Sequence, residues 1–337
     1  MPERTSDEHD PLPPELPPVE PPSARLIAQL FLVPGVIVMV IVVLWLGVNR
    51  LASSEQDWRA LAADLESPHE HLRWRSAFGL AQMLQADQQR TPESGGPKLV
   101  TNPDLAGRLA ALLDRELNRG LSTDDAIKQQ AYLALTLGMF RTPDEVLPVL
   151  QKAITPDRDR DVRKNGLAAI ANIAYRQSEA GKPLQDSTLV ANVVEASADE
   201  SPVIRQLAAY DLGLLGGEKA KERLESMLRD ADESTRANAA IALARQYSPA
   251  GLPVLKEMVK SAETPAEPGT QDEHEQFVRL KNCIAAIDRL SPKLDAEQRS
   301  ELVTLLEPVT HHRESKIRIE AEQTVVDLQE ASSGEKK

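Results

Sequence analysis

The dipeptide Val162-Arg163 belongs to a pattern that returns along most of this 337-residue chain and restricts what it can fold into. An aliphatic residue followed by a basic one recurs as Leu72-Arg73, Ile127-Lys128, Val162-Arg163, Ile204-Arg205, Thr235-Arg236, Val278-Arg279 and Ile317-Arg318. Thr235 departs from the aliphatic first member, and Lys128 from the arginine second. Three places after each basic residue stand Ser76, Ala131, Gly166, Ala208, Ala239, Asn282 and Ala321. Seven places after stand Leu80, Leu135, Ile170, Leu212, Leu243, Ala286 and Val325. Positions i, i+3 and i+7 share one helix face, and a small middle residue lets a neighbouring helix come close.

A second amphipathic helix precedes most of these, at residues 58–65, 105–117, 146–154, 189–196, 220–228, 252–259 and 302–309. Turns such as Thr155-Pro156-Asp157 and Asp199-Glu200-Ser201-Pro202 join the two; such residues cap helix starts and suit the positive end of the dipole. The unit is helix, acidic turn, helix, returning about every 40 residues. One such pair cannot bury its own apolar face, so the pairs must stack into an α-solenoid. Aromatics at 3% and the lack of long alternating β-branched runs leave strands without support.

The register of acidic turn, Val-Arg, small residue and Leu resembles the HEAT-repeat class, in particular the short HEAT-like repeats named after phycobilisome lyases. Asp161-Val162-Arg163 and Ser201-Pro202-Val203-Ile204-Arg205 carry the likeness best, and it covers residues 55–330. The resemblance implies an all-α, right-handed superhelix of about seven helix pairs. It also implies that the basic residue pairs with acidic turn residues along the stack. That structural role falls to Arg73, Arg163, Arg205, Arg236, Arg279 and Arg318. Lys128 occupies the same place without a bidentate fork. The sixth repeat departs, with Asn282 at the small position and Ala286 at the large one.

Residues 1–25 hold eight prolines and six acids (Glu3, Asp7, Glu8, Asp10, Glu15, Glu20), with almost nothing to bury, and are expected to be a disordered tail. Residues 331–337 read as a short tail of the same kind. Leu26 to Val48 is an uncharged run bracketed by Arg25 and Arg50, and it predicts a transmembrane helix and a single-pass membrane protein. Arg50 and Arg59 outnumber Arg25, which places the repeats on the cytoplasmic side. Stretches 89–101, 177–186 and 261–272 are rich in Gly, Pro and polar residues and read as loops between repeats, where a partner could contact them.

Chemistry is sparse. His69-Glu70-His71 and His311-His312-Arg313-Glu314 cluster metal-ligand types in turns, without the spacing of a zinc motif, and are read as surface histidines. Cys283 beside Ile284 reads as a small core residue. Trp58, Leu61 and Leu65 share a face that is expected to form the first layer of the core. No catalytic, cofactor or metal residues are assigned. With 39 basic and 52 acidic side chains the net charge is −13, which argues against nucleic acid and permits a basic protein partner. The expected function is therefore a non-catalytic, membrane-anchored scaffold that binds a partner protein on an acidic repeat surface. The resemblance leaves a bilin-lyase-like enzyme as the alternative.

Overall fold

The computed structural model describes residue 36 and residues 38–45, 58–89, 98–261 and 269–334. The chain divides into Met1–Asp57 and Trp58–Lys337. In the first unit, Val36 and residues 38–45 are helical, with exposed apolar side chains. The expected transmembrane helix and single-pass location are corrected here. Among the described residues no helix is long and apolar enough to cross a membrane. The rest of 26–48 and the whole tail 1–25 lie outside the described residues.

The second unit is helical throughout its described residues. Its helices are α1 (Trp58–Asp64), α2 (Glu70–Gln88), α3 (Pro103–Asn118), α4 (Asp124–Leu137), α5 (Pro143–Ala153), α6 (Arg160–Glu179) and α7 (Ser187–Ala196). They continue as α8 (Pro202–Leu215), α9 (Glu218–Met227), α10 (Glu233–Arg245), α11 (Leu252–Ser261), α12 (Gln271–Leu290), α13 (Ala296–Leu306) and α14 (Ser315–Gly334). Each odd-numbered helix packs on the even one after it, giving the helix pairs read from the sequence. The turn residues act as expected: Thr123, Asp159, Asp232 and Thr270 accept from backbone N–H groups at the starts of α4, α6, α10 and α12. Helix α14 runs on to Gly334, into the stretch expected as tail.

The even helices form the tighter layer, with α4 on α6, α6 on α8 and α8 on α10 in extensive contact. Small residues set the spacing. A Cβ on Gly138 would stand 2.7 Å from the Ala169 backbone, and one on Gly213 would stand 2.7 Å from Ala242 Cβ. Gly166 instead lies against Ile154 of its own pair. The apolar core is two clusters that meet at α10. Ala239, Ala242 and Leu243 join the first, Ala237, Ala240 and Ala244 join the second, and Leu228 touches both. Trp58, Leu61 and Leu65 pack into the first layer, as expected.

Candidate interaction surface

The fourth helical residue of α2, α6, α8, α10 and α14 is an arginine, and each is used alike. Its Nη1 donates to two carbonyls of the turn before its own helix. Arg73 donates to Ser67 and Pro68, Arg163 to Pro156 and Arg158, Arg205 to Asp199 and Glu200, Arg236 to Asp230 and Ala231, and Arg318 to His312 and Arg313. In Arg73, Arg163, Arg205 and Arg236 the rest of the guanidinium reaches the next repeat. Arg163 meets Asp199 at 3.0 Å. Arg205 grips Asp230 through Nε and Nη2 at 2.9 and 2.8 Å. Arg73 lies 3.6 Å from Glu116, and Arg236 lies 3.8 Å from Glu257. Asp199 and Asp230 thus bind one arginine by carboxylate and the next by carbonyl, which laces pair to pair. Arg205 holds the Asp230 carboxyl below its usual range.

Two predicted members fall elsewhere. Lys128 is the fifth residue of α4, not the fourth, because the helix starts at Asp124. One residue turns a helical side chain by about 100°, so Lys128 points to solvent and Leu135 is exposed with it. Gln130 takes the buried small-residue place and donates to the Glu116 carbonyl at 3.1 Å. Arg279 lies mid-helix in α12, which begins at Gln271, and pairs with Glu233.

Among the described residues, several exposed aromatic side chains lie on the even helices. Phe78, Tyr132 and Tyr210 occupy the same helical place in α2, α4 and α8, with Tyr175 two turns further along α6. Phe78 stacks on Tyr132 at 5.7 Å, and Arg245 of α10 covers Tyr210 at 4.8 Å. Tyr175 is 48% exposed and Tyr247, just past α10, 53%. From α2 to α10, carboxylates avoid the middle of the even helices. In α2, α4, α6, α8 and α10 they sit in the first turn (Glu70, Asp124, Asp125, Asp161, Glu233), at the last turn (Asp87, Glu179), or buried (Asp211). The expectation of a basic partner rested on net charge; on these helices the acids lie at the ends and in the turns, not along the face.

Arg141 and Arg176 stand close together at the carboxyl-terminal edge of the face. Burial, then the Arg141 charge, lowers the Arg176 pKa from its ordinary value. Arg176 donates to the carbonyls of Gly138 and Phe140. Asp211 in α8 is fully buried, both its carboxyl oxygens lack a hydrogen-bond partner, and burial pushes its pKa well up.

The other sequence candidates are structural. The His69 and His71 rings tilt together at 5.9 Å, and among the described residues no group of three His, Cys, Asp or Glu could hold a metal. His312 Nδ1 accepts from the Glu314 N–H at the start of α14. Cys283 is buried, which pushes its thiol up to about 12 and keeps it protonated. Loop residues 183–187 line an open groove of about 570 Å³ with Gly216 to Lys219, between the end of α8 and the starts of α7 and α9. Of 89–101 only 89 and 98–101 are described, and residues 262–268 lie outside the described ones.

The family model of HEAT repeats matches residues 190–266, the span around the meeting of the two cores. None of the curated proteins matches the chain. Among solved structures, the complex of CpcE and CpcF of phycocyanin lyase from Nostoc sp. PCC7120 is 16% identical, covering 82% of this chain and 96% of that one at a TM-score of 0.46. An engineered protein is 20% identical over 80% of this chain and 77% of its own, also at 0.46. A designed armadillo repeat protein in complex with the peptide (KR)4 is 16% identical over 81% and 100%, at 0.40. Residues 190–266 are thus similar to HEAT repeats, and the described residues form an all-helical repeat fold.

Proposed function

We propose that this protein is a non-catalytic scaffold that binds a partner protein on the outward face of its even helices. The observation that carries the reading is the run of exposed Phe78, Tyr175 and Tyr210 on a rigid, laced layer. Exposed aromatics grouped on one face mark interaction sites, because an aromatic ring offers large contact area at small entropic cost. Cys283 and Asp211, two reactive groups by type, are sealed in the core. A photo-reactive phenylalanine placed at 175 or 210 of the full chain tests it. Partner crosslinks are expected from those sites and not from position 219, at the start of the odd helix α9. Equal crosslinking from all three would reject the face as the binding site.

A further inference from the structure

The cations of this face are set apart from the acids that dominate the chain. Among the described residues no carboxylate pairs with Arg141, Arg176 or Arg245, whereas Arg163 and Arg205 are each paired. One Arg245 nitrogen, Nη1, is buried without a hydrogen-bond acceptor while the guanidinium lies over Tyr210. Arg176 has a cationic neighbour, Arg141, in place of an anionic one. Like charges held together are relieved by an incoming carboxylate. Between the cations lie tyrosine faces that suit proline rings and aliphatic side chains.

We propose that the even-helix face takes an acidic, extended segment of a partner protein, its carboxylates meeting Arg141, Arg176 and Arg245 and its apolar side chains lying on Tyr175 and Tyr210. This rests on the scaffold reading above. The chemistry favours a peptide over a nucleic acid. Asp124, Asp125 and Asp161 rim the opposite edge of the face, and a net charge of −13 repels a polymer charged at every unit. A peptide can place its acids at the cationic edge alone.

Fluorescence anisotropy with the full-length chain tests this, using four labelled probes of equal length. These are a Glu-Pro-Leu repeat peptide, its Lys-Pro-Leu and Gln-Pro-Leu counterparts, and single-stranded oligo-dT. The glutamate peptide is expected to bind tightest and to weaken with salt. Charge reversal by Arg141→Glu with Arg245→Glu is expected to weaken it about tenfold or more. Lys219→Glu, at the start of the odd helix α9, should leave it unchanged. Circular dichroism checks folding, and Arg141→Gln with Arg245→Gln, a milder pair, should give a smaller loss in the same direction. Lysine or glutamine peptide binding as tightly, and abolished by Tyr175→Ala with Tyr210→Ala, overturns the acidic partner and leaves the scaffold reading standing. Oligo-dT binding tighter than the glutamate peptide, with the same sensitivity to variants, overturns it in favour of nucleic acid. Binding of no probe, joined to equal crosslinking from 175, 210 and 219, overturns both.

Discussion

The joint between α8 and α10 and the joint between α10 and α12 bury similar small residues but are bonded differently. At the first, Arg205 holds Asp230 with two hydrogen bonds in a half-buried pocket. Gln206 donates to Asp232 at 2.9 Å, and Gln246 reaches back to the Leu212 carbonyl at 2.9 Å. At the second, Arg236 meets an exposed Glu257 at 3.8 Å and Arg279 meets a half-exposed Glu233. The two apolar clusters also part at α10. Helix packing alone sets the spacing at both joints; a fixed polar geometry is added only where a fourth-position arginine faces the next turn's aspartate. A solenoid holds neighbour by neighbour, so of these two joints the second is expected to open first.

Removing the forked arginine should separate the joints most. Arg205→Ala strands Asp230 and two turn carbonyls, and is expected to cost about 3 kcal/mol, read as faster amide exchange in α8 and α10. An unchanged exchange rate would mean that the apolar contacts alone hold the first joint. Gly213→Val forces side-chain atoms onto Ala242, where even a Cβ would sit at 2.7 Å. Overpacking of that kind should cost about 2 kcal/mol, measured by urea denaturation.

Asp211 gives a test with a pH signature at the first joint. Its folded pKa is raised, so above an ordinary aspartate pKa of about 3.9 the folded chain keeps a proton that the unfolded chain loses. Stability must then fall as pH rises from about 4 towards the raised folded value. Asp211→Asn removes that fall. It should match the parent near pH 4 and exceed it by about 1–2 kcal/mol at pH 7, by thermal melts across that range. Asp230 runs the other way: Arg205 lowers its folded pKa, so its contribution is present above about pH 4 and is lost as pH falls through the lowered value. Smallest is Arg279→Ala at the second joint, where the pair is solvated and the expected cost is under about 0.5 kcal/mol.

Much of this was legible in the chain. The apolar spacing, the turn prolines and acids, and the small residues at Gly166, Ala208 and Ala239 placed the helix pairs to within a few residues, because those signals are local. Arg73, Arg163, Arg205, Arg236 and Arg318 were found for the same reason: each follows its turn at a fixed distance. The register of α4 was not legible. Thr123, Asp124 and Asp125 are all able to cap, and only packing selects Thr123. Net charge concealed the candidate face, since a sum over residues carries no direction.

Sequence by itself determined that this chain is a stack of helix pairs, since helical periodicity and capping are written within ten or so residues. Tertiary structure alone decided which side chains the stack turns outward together. Tyr132, Tyr175, Tyr210 and Arg245 come from three successive even helices and the one before them, and no local rule links them. They form one surface because small residues bring the even helices close, in a phase that each helix start fixes.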